Sequence, residues 1–198
     1  MAGRGRQQSA AHSRRKASRA RSDPAPRHGS RLDARSLRIG LAVCVLLAAV
    51  VHGRSLTFEF TRTDDKVLLL DDEAFIRDAA NIPRAFFRPF FPSAPRGETY
   101  YRPLVTTSFI LDAQWKGVRP FAYHVTNVVL HVVATALFFV LLGRLGFGWA
   151  ESIVGASLFA VHPALTEAVA WIPGRCDLLL GVGFLLSTLF RRGRFLFG

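Results

Sequence analysis

Two acidic pairs, Asp64-Asp65 and Asp71-Asp72, followed by Glu73 and Asp78, stand in the one long polar interval of this chain, residues 54–121. A carboxylate can take the proton of an attacking hydroxyl, and a well-placed general base contributes typically ~10²–10⁴-fold to a rate. The same interval alternates aromatic and basic side chains in Arg84-Ala85-Phe86-Phe87-Arg88-Pro89-Phe90-Phe91 and ends in Tyr100-Tyr101-Arg102-Pro103-Leu104. Beyond it, His124, Asn127 and His131 are spaced by three and four, which puts them on one face of a helix. Two readings of that face stand side by side: hydrogen bonds between helices, or the lining of a polar cavity. A third polar group comprises His162-Pro163, Thr166-Glu167, Trp171 and Gly174-Arg175-Cys176-Asp177. Pro163 ends a helix there, and Thr166 or Asp177 can cap one. Glu167, Arg175 and Asp177 are ionisable groups at an apolar boundary, where such groups are functional candidates or pair with one another. No metal site is expected, because no third ligand accompanies the histidines. No glycine-rich phosphate loop is present either.

The elements that must position these residues are apolar. Hydrophobic residues make up 50% of the 198, yet the formal net charge is +12. The two facts reconcile through segregation: residues 1–38 hold eleven Arg or Lys against two Asp, and the remainder is nearly neutral. That tail is too poor in large apolar side chains to offset its ordering entropy and is expected to be disordered, solvated and cytoplasmic. It can touch anionic headgroups. Nothing interleaves aromatics with its arginines, so no nucleic-acid partner is expected. Four apolar runs follow, and the periodicity predicts spans near 39–53, 122–143, 149–164 and 177–190. The first is short, so a cleaved signal peptide is its rival. The expected class is an all-α membrane protein of about four transmembrane helices with a long extracytoplasmic first loop at 54–121. Both ends are cytoplasmic, with Arg191, Arg192 and Arg194 closing the last run. Within the loop, Asn81–Phe91 is expected as a short helix in the membrane interface, Phe toward lipid and Arg toward headgroups. Leu104–Trp115 is expected to pack on the membrane domain without crossing it. Cys44 and Cys176 are expected to stay unpaired.

One set of residues forms a resemblance. Tyr101-Arg102-Pro103-Leu104, Ser108, Asp112, Gly117, Pro120 and Tyr123-His124-x-x-Asn127-x-x-Leu130-His131 make its first half. Leu158-Phe159-Ala160-Val161-His162-Pro163, Thr166-Glu167-Ala168-Val169-Ala170-Trp171-Ile172 and Gly174-Arg175-x-Asp177-Leu178-Leu179 make its second. In order and spacing these resemble the transmembrane-and-tetratricopeptide O-mannosyltransferases, in a bacterial-type member, over about residues 56 to 190.

The resemblance implies GT-C architecture and transfer of a sugar, mannose by the family, from a polyprenyl-phosphate carrier to a Ser or Thr hydroxyl of an exported protein. It implies a catalytic carboxylate early in the first loop, at Asp64 or Asp65, with Thr63 standing where relatives carry an aromatic. Arg102 and Arg175 are the implied ligands of the lipid-borne phosphate, and His124 and Glu167 orient the acceptor or the arginines. No cofactor is implied beyond that donor. Membrane lipid, the lipid-linked sugar and the exported acceptor are the implied partners, in a bacterial inner membrane. The family also carries further helices and repeats of about 34 residues, which are absent from this sequence. The chain is therefore expected to be an amino-terminal part that needs a partner chain carrying the rest. The alternative is a non-catalytic truncated membrane module.

Overall fold

Three apolar helices are long enough to cross a bilayer, and a fourth crossing is broken in two. The computed structural model describes residues 34–92 and 100–195, with side chains as far as residue 191, and these residues form helices and loops with no strand. The expected tail therefore lies outside the described residues up to 33, as do 196–198. Helix α1 (Ala34–His52) runs on through a 3-10 turn, Gly53–Thr57. The resulting 24-residue unit is about 36 Å long against a hydrocarbon core of about 30 Å. It starts ahead of the expected Ile39 because Arg35 and Arg38 join the helix, both exposed. Arginine is a good helix former, and its stem reaches from an apolar turn to water.

The polar interval ends with α3 (Pro103–Lys116), and after it come α4 (Pro120–Arg144), α5 (Trp149–Val161), α6 (Thr166–Ala170) and α7 (Arg175–Phe195). Both α3 and α4 have proline in the first turn, where the missing N–H costs nothing. Gly117 separates them at φ 72°, a left-handed conformation that favours glycine. Helix α4 is the centre: α1, α5 and α7 pack on it. The crossings alternate in direction. At one end Trp149 Nε1 donates to the Ser36 carbonyl (2.9 Å) and Arg144 donates to that of Leu189 (3.0 Å). Tight packing holds the bundle where lipid is as apolar as the side chains. The buried Phe139 ring, for example, occupies the space that a Cβ on Gly40 would need.

The third crossing bends by 48° between α5 and α6. Pro163 cannot continue the helix, and the Ala164 N–H turns to His162 Nδ1 (3.2 Å). The Ala160 carbonyl thereby loses its helical donor. His131 Nε2 (3.0 Å) and His52 Nε2 (3.2 Å) supply replacements from α4 and α1. A carbonyl only accepts, so both rings are Nε2–H tautomers. This is how a proline break survives at membrane depth: neighbouring helices satisfy the freed group.

The interval between α1 and α4 folds over the end of the bundle where α4 and α7 begin. It includes a π-helical turn at Lys66–Leu70, the short α2 (Glu73–Ile76) and 3-10 turns at Ala79–Asn81 and Pro83–Phe87. Leu68, Leu69, Ile76, Phe90, Phe109 and Tyr123 form its core. The expected interfacial helix at Asn81–Phe91 is not one helix, and its arginines do not face outward together. Arg88 pairs with Asp72 (2.9 Å) and covers the Phe75 ring at 3.8 Å. Arg84 donates to Asn81, which is itself buried and bonded to the Phe75 carbonyl. Arg88 is thereby drawn half-buried against the interval, while Arg84 stays exposed.

Candidate functional site

The residues of the sequence motifs converge on one guanidinium. Arg175, the first residue of α7, is fully buried. Its Nε donates to Asn127 Oδ1 (2.8 Å), Nη2 to the Tyr123 carbonyl (2.7 Å) and Nη1 to Ser108 Oγ (3.0 Å). Asp112 Oδ2 lies 2.6 Å from Nη1, and Asp112 Oδ1 accepts from the Thr126 hydroxyl at 2.6 Å. The rings of Phe109 and Tyr123 flank the cation at 4.8 and 5.8 Å. A buried guanidinium is tolerated only when paired and hydrogen-bonded. Here α7 supplies the charge and α3 and α4 supply its shell, so the guanidinium ties three helices together. Its counter-ion is Asp112, not Asp177 or Glu167; both of those are exposed. Each of the three guanidinium nitrogens therefore has a partner within the protein. Asn127 extends the network by donating to the Val169 and Trp171 carbonyls (3.2 and 3.1 Å), the interhelical reading of that polar face.

Of the first acidic pair, Asp65 is buried and Asp64 half-buried. The Asp65 Oδ2 accepts from both the backbone N–H and the hydroxyl of Thr61 (2.7 and 2.9 Å). Its Oδ1 has no hydrogen-bond partner among the described residues. Burial pushes the Asp65 carboxyl above the usual carboxylate range, against the opposing Thr61 bonds and with a small push from Asp64. The carboxylate is thus held in place through Oδ2, and its unpartnered Oδ1 is buried within the protein. The second pair is engaged: Asp71 with Lys66 (2.7 Å) and Asp72 with Arg88.

Arg102 precedes α3, half-buried between the Phe90 and Tyr100 rings (5.2 and 5.3 Å), with no carboxylate partner among the described residues. It borders a groove of about 540 Å³ whose floor is one face of α7, from Cys176 through Leu180 and Gly183 to Ser187. The His124 ring is buried, edge-on to Phe58 at 6.1 Å, and neither nitrogen has a hydrogen-bond partner among the described residues. Arg102 and Arg175 thus both lie against the aromatic part of one apolar core, Arg102 on Phe90 and Arg175 on Phe109 and Tyr123. Glu167 stands apart on α6, exposed and without an ion pair among the described residues. No three His, Cys, Asp or Glu side chains among the described residues are grouped to hold a metal.

No protein-family model and no solved structure matches the chain. Curated proteins do. Protein O-mannosyl-transferase Tmtc1 of Drosophila melanogaster is 39% identical over 153 residues, 76% of this chain and 18% of its own length. Protein O-mannosyl-transferase TMTC1 of Mus musculus is 35% identical over 172 residues, 81% of this chain and 18% of its own. The TMTC O-mannosyl-transferases are relatives of this chain. Protein O-mannosyl-transferase tmtc2 of Xenopus laevis adds 45% identity over 89 residues, 45% of this chain and 11% of its own. The chain spans less than a fifth of the length of these curated relatives.

Four of the motif residues quoted for the O-mannosyl-transferase resemblance form the shell of Arg175: Ser108, Asp112, Tyr123 and Asn127. Sequence reading did not select Asp112 as a partner. The signal was there, since a carboxylate that interrupts an apolar helix must find a cation when that helix is buried.

Proposed function

We propose that this chain forms the acidic loop and the lipid-donor groove of a membrane transferase that moves mannose from a polyprenyl phosphate to a protein Ser or Thr hydroxyl. The observation that carries this reading is the groove itself, an apolar channel that begins beside Arg102 and follows α7 toward the opposite face of the bundle; among the described residues Arg102 has no carboxylate partner. An isoprenoid chain suits that groove, and guanidinium meets phosphate through two parallel hydrogen bonds. The relatives are protein O-mannosyl-transferases, which supports mannose as the sugar and a protein hydroxyl as the acceptor. The acceptor oxygen attacks the anomeric carbon as Asp65 or Asp64 takes its proton. The bond from that carbon to the phosphate oxygen breaks through an oxocarbenium-like transition state, and the phosphate leaves on its lipid beside Arg102. His124 borders the acceptor side. Arg175 serves by holding α3, α4 and α7 in register. The basic residues of 1–38 place the amino terminus on the cytoplasmic side. A bacterial inner membrane is retained as the setting on the motif resemblance, although the relatives named above are animal proteins.

The test has two arms. A photoreactive polyprenyl phosphate should cross-link to the membrane-embedded chain, with labelling at least tenfold weaker in Arg102→Ala and unchanged in Asp71→Asn. In membranes that transfer mannose from the lipid donor to a peptide, Asp65→Asn or Asp64→Asn should lower the rate by about a hundredfold or more, and Asp71→Asn and Asp72→Asn should not. Unchanged cross-linking in Arg102→Ala removes the groove from the reading. Normal transfer by both Asp64→Asn and Asp65→Asn removes the base.

A further inference from the structure

Helix α3 is apolar on two sides. Val105, Phe109, Ile110 and Ala113 are buried in the core of the polar interval. On the other side Leu104, Leu111 and Trp115 are 64%, 55% and 56% exposed. A rotation of about 100° per residue sets those three within about 40° of one another, one narrow stripe along the helix. Helix α3 cannot itself be a crossing: its 14 residues reach only about 21 Å, and Asp112 is turned inward to Arg175.

The depth of the stripe follows from what α3 touches. Asp112 accepts from Thr126 in the second turn of α4, and Ser108 and Asp112 meet Arg175 at the first residue of α7. Helix α3 therefore lies level with the ends of two crossings, where hydrocarbon gives way to headgroups. The stripe is also continuous with a crossing, because Trp115 packs on Phe121 of the first turn of α4 (6.3 Å). At its other end Tyr101 donates to the Phe86 carbonyl, next to Phe87, whose side chain is 91% exposed. Cations edge it: Lys116 lies over the Trp115 ring (5.5 Å), and Arg102 lies beside Tyr100. Aromatic rings at both ends, aliphatic side chains between them and cations at the margin match the composition of a membrane–water interface.

We propose that α3 lies in the plane of the membrane interface, with Leu104, Leu111 and Trp115 set into lipid and the rest of the polar interval carried on its inner face. The occupant of this surface is the bilayer itself. The inference is independent of any transferase activity and replaces the expectation that Asn81–Phe91 is the interfacial helix.

Trp149→Phe with Trp171→Phe leaves Trp115 as the sole tryptophan of the full chain, reconstituted in phosphatidylcholine vesicles. Lipids brominated near the head of the acyl chain should quench Trp115 at least twice as strongly as lipids brominated near its end. Absent quenching, or quenching strongest from the chain ends, overturns the proposal. A second measurement covers misfolding of that variant: a spin label at Leu111→Cys with Cys44→Ser and Cys176→Ser, and a control label at the exposed Ala80→Cys. Collisions with oxygen should exceed those with a water-soluble nickel chelate at Leu111, and the order should reverse at Ala80. A Leu111 label shielded from both points to a covering protein segment or second copy, and one dominated by nickel points to water; either result overturns the proposal.

Discussion

Arg175 sets the energetics at the residue scale. Removing one partner of a buried ion pair leaves the other uncompensated and costs about 3–5 kcal/mol. Arg175→Gln and Asp112→Asn should each be strongly destabilising, and the double variant should recover at least ~1 kcal/mol relative to their sum, because contacting residues couple. Unfolding of the detergent-solubilised chain measures all three. Additive losses would show that the 2.6 Å contact contributes no coupling. Asp65 gives the opposite sign. Burial holds its carboxyl above the usual range, so the folded protein keeps this proton more tightly than the unfolded chain does. Its contribution to stability is complete below the ordinary carboxylate pKa and falls as pH rises through the raised one. Asp65→Asn, which preserves the acceptor for Thr61, should flatten that fall and raise the melting temperature at neutral pH. A lower melting temperature at pH 7 would mean that the Thr61 bonds outweigh burial.

At the scale of elements, small residues mark where backbones meet. The Gly174 Cα faces the backbone of Ala168, and an added Cβ would lie 2.9 Å from both the Ala168 Cα and its carbonyl oxygen. Backbone atoms cannot step aside as a flexible side chain can. Gly174→Ala should cost about 1–3 kcal/mol by overpacking the junction of α6 and α7. Gly181, within α7, has nothing within 4 Å of the same construction. Gly181→Ala should therefore be neutral or stabilising by up to about 1 kcal/mol through helix propensity. Thermal unfolding of the two variants side by side checks the contrast, and equal effects would place the constraint elsewhere. The broken crossing follows the same logic: Pro163 frees a carbonyl, and two histidines from other helices are its donors.

For the whole molecule, alternating crossings fix which segments share a side. The polar interval lies at the end opposite Ser36 and Arg144, and the basic residues of 1–38 belong on the cytoplasmic side by the charge rule. In a chain with Cys44→Ala and Cys176→Ala, a cysteine at Ala80→Cys should react with an impermeant maleimide in intact cells. One at Ser9→Cys should react only after permeabilisation. The reverse pattern would invert the topology. Both native cysteines are free thiols, Cys44 buried and Cys176 half-buried, so neither makes a clean reporter by itself.

The sequence by itself determined what depends on composition and local rules. Apolar runs specify membrane helices, Pro163 specifies the break, and Gly117 and the prolines at 103 and 120 specify where α3 and α4 stop and start. The spacing of His124, Asn127 and His131 placed them on one buried face, since period 3.6 is a property of the chain alone. Only the tertiary structure decided which charges meet. Arg175 lies two residues from Asp177 and eight from Glu167 in the chain, yet it pairs with Asp112, 63 positions away, because α3 folds back against the first turns of α4 and α7. Pairing of buried ions is a long-range choice, governed by desolvation and by which partners reach the same dry space. The two sides of α3 were likewise beyond local reading: every large apolar residue on it looks the same in sequence, and only the position of the polar interval separates the stripe that enters the core from the stripe left facing outward.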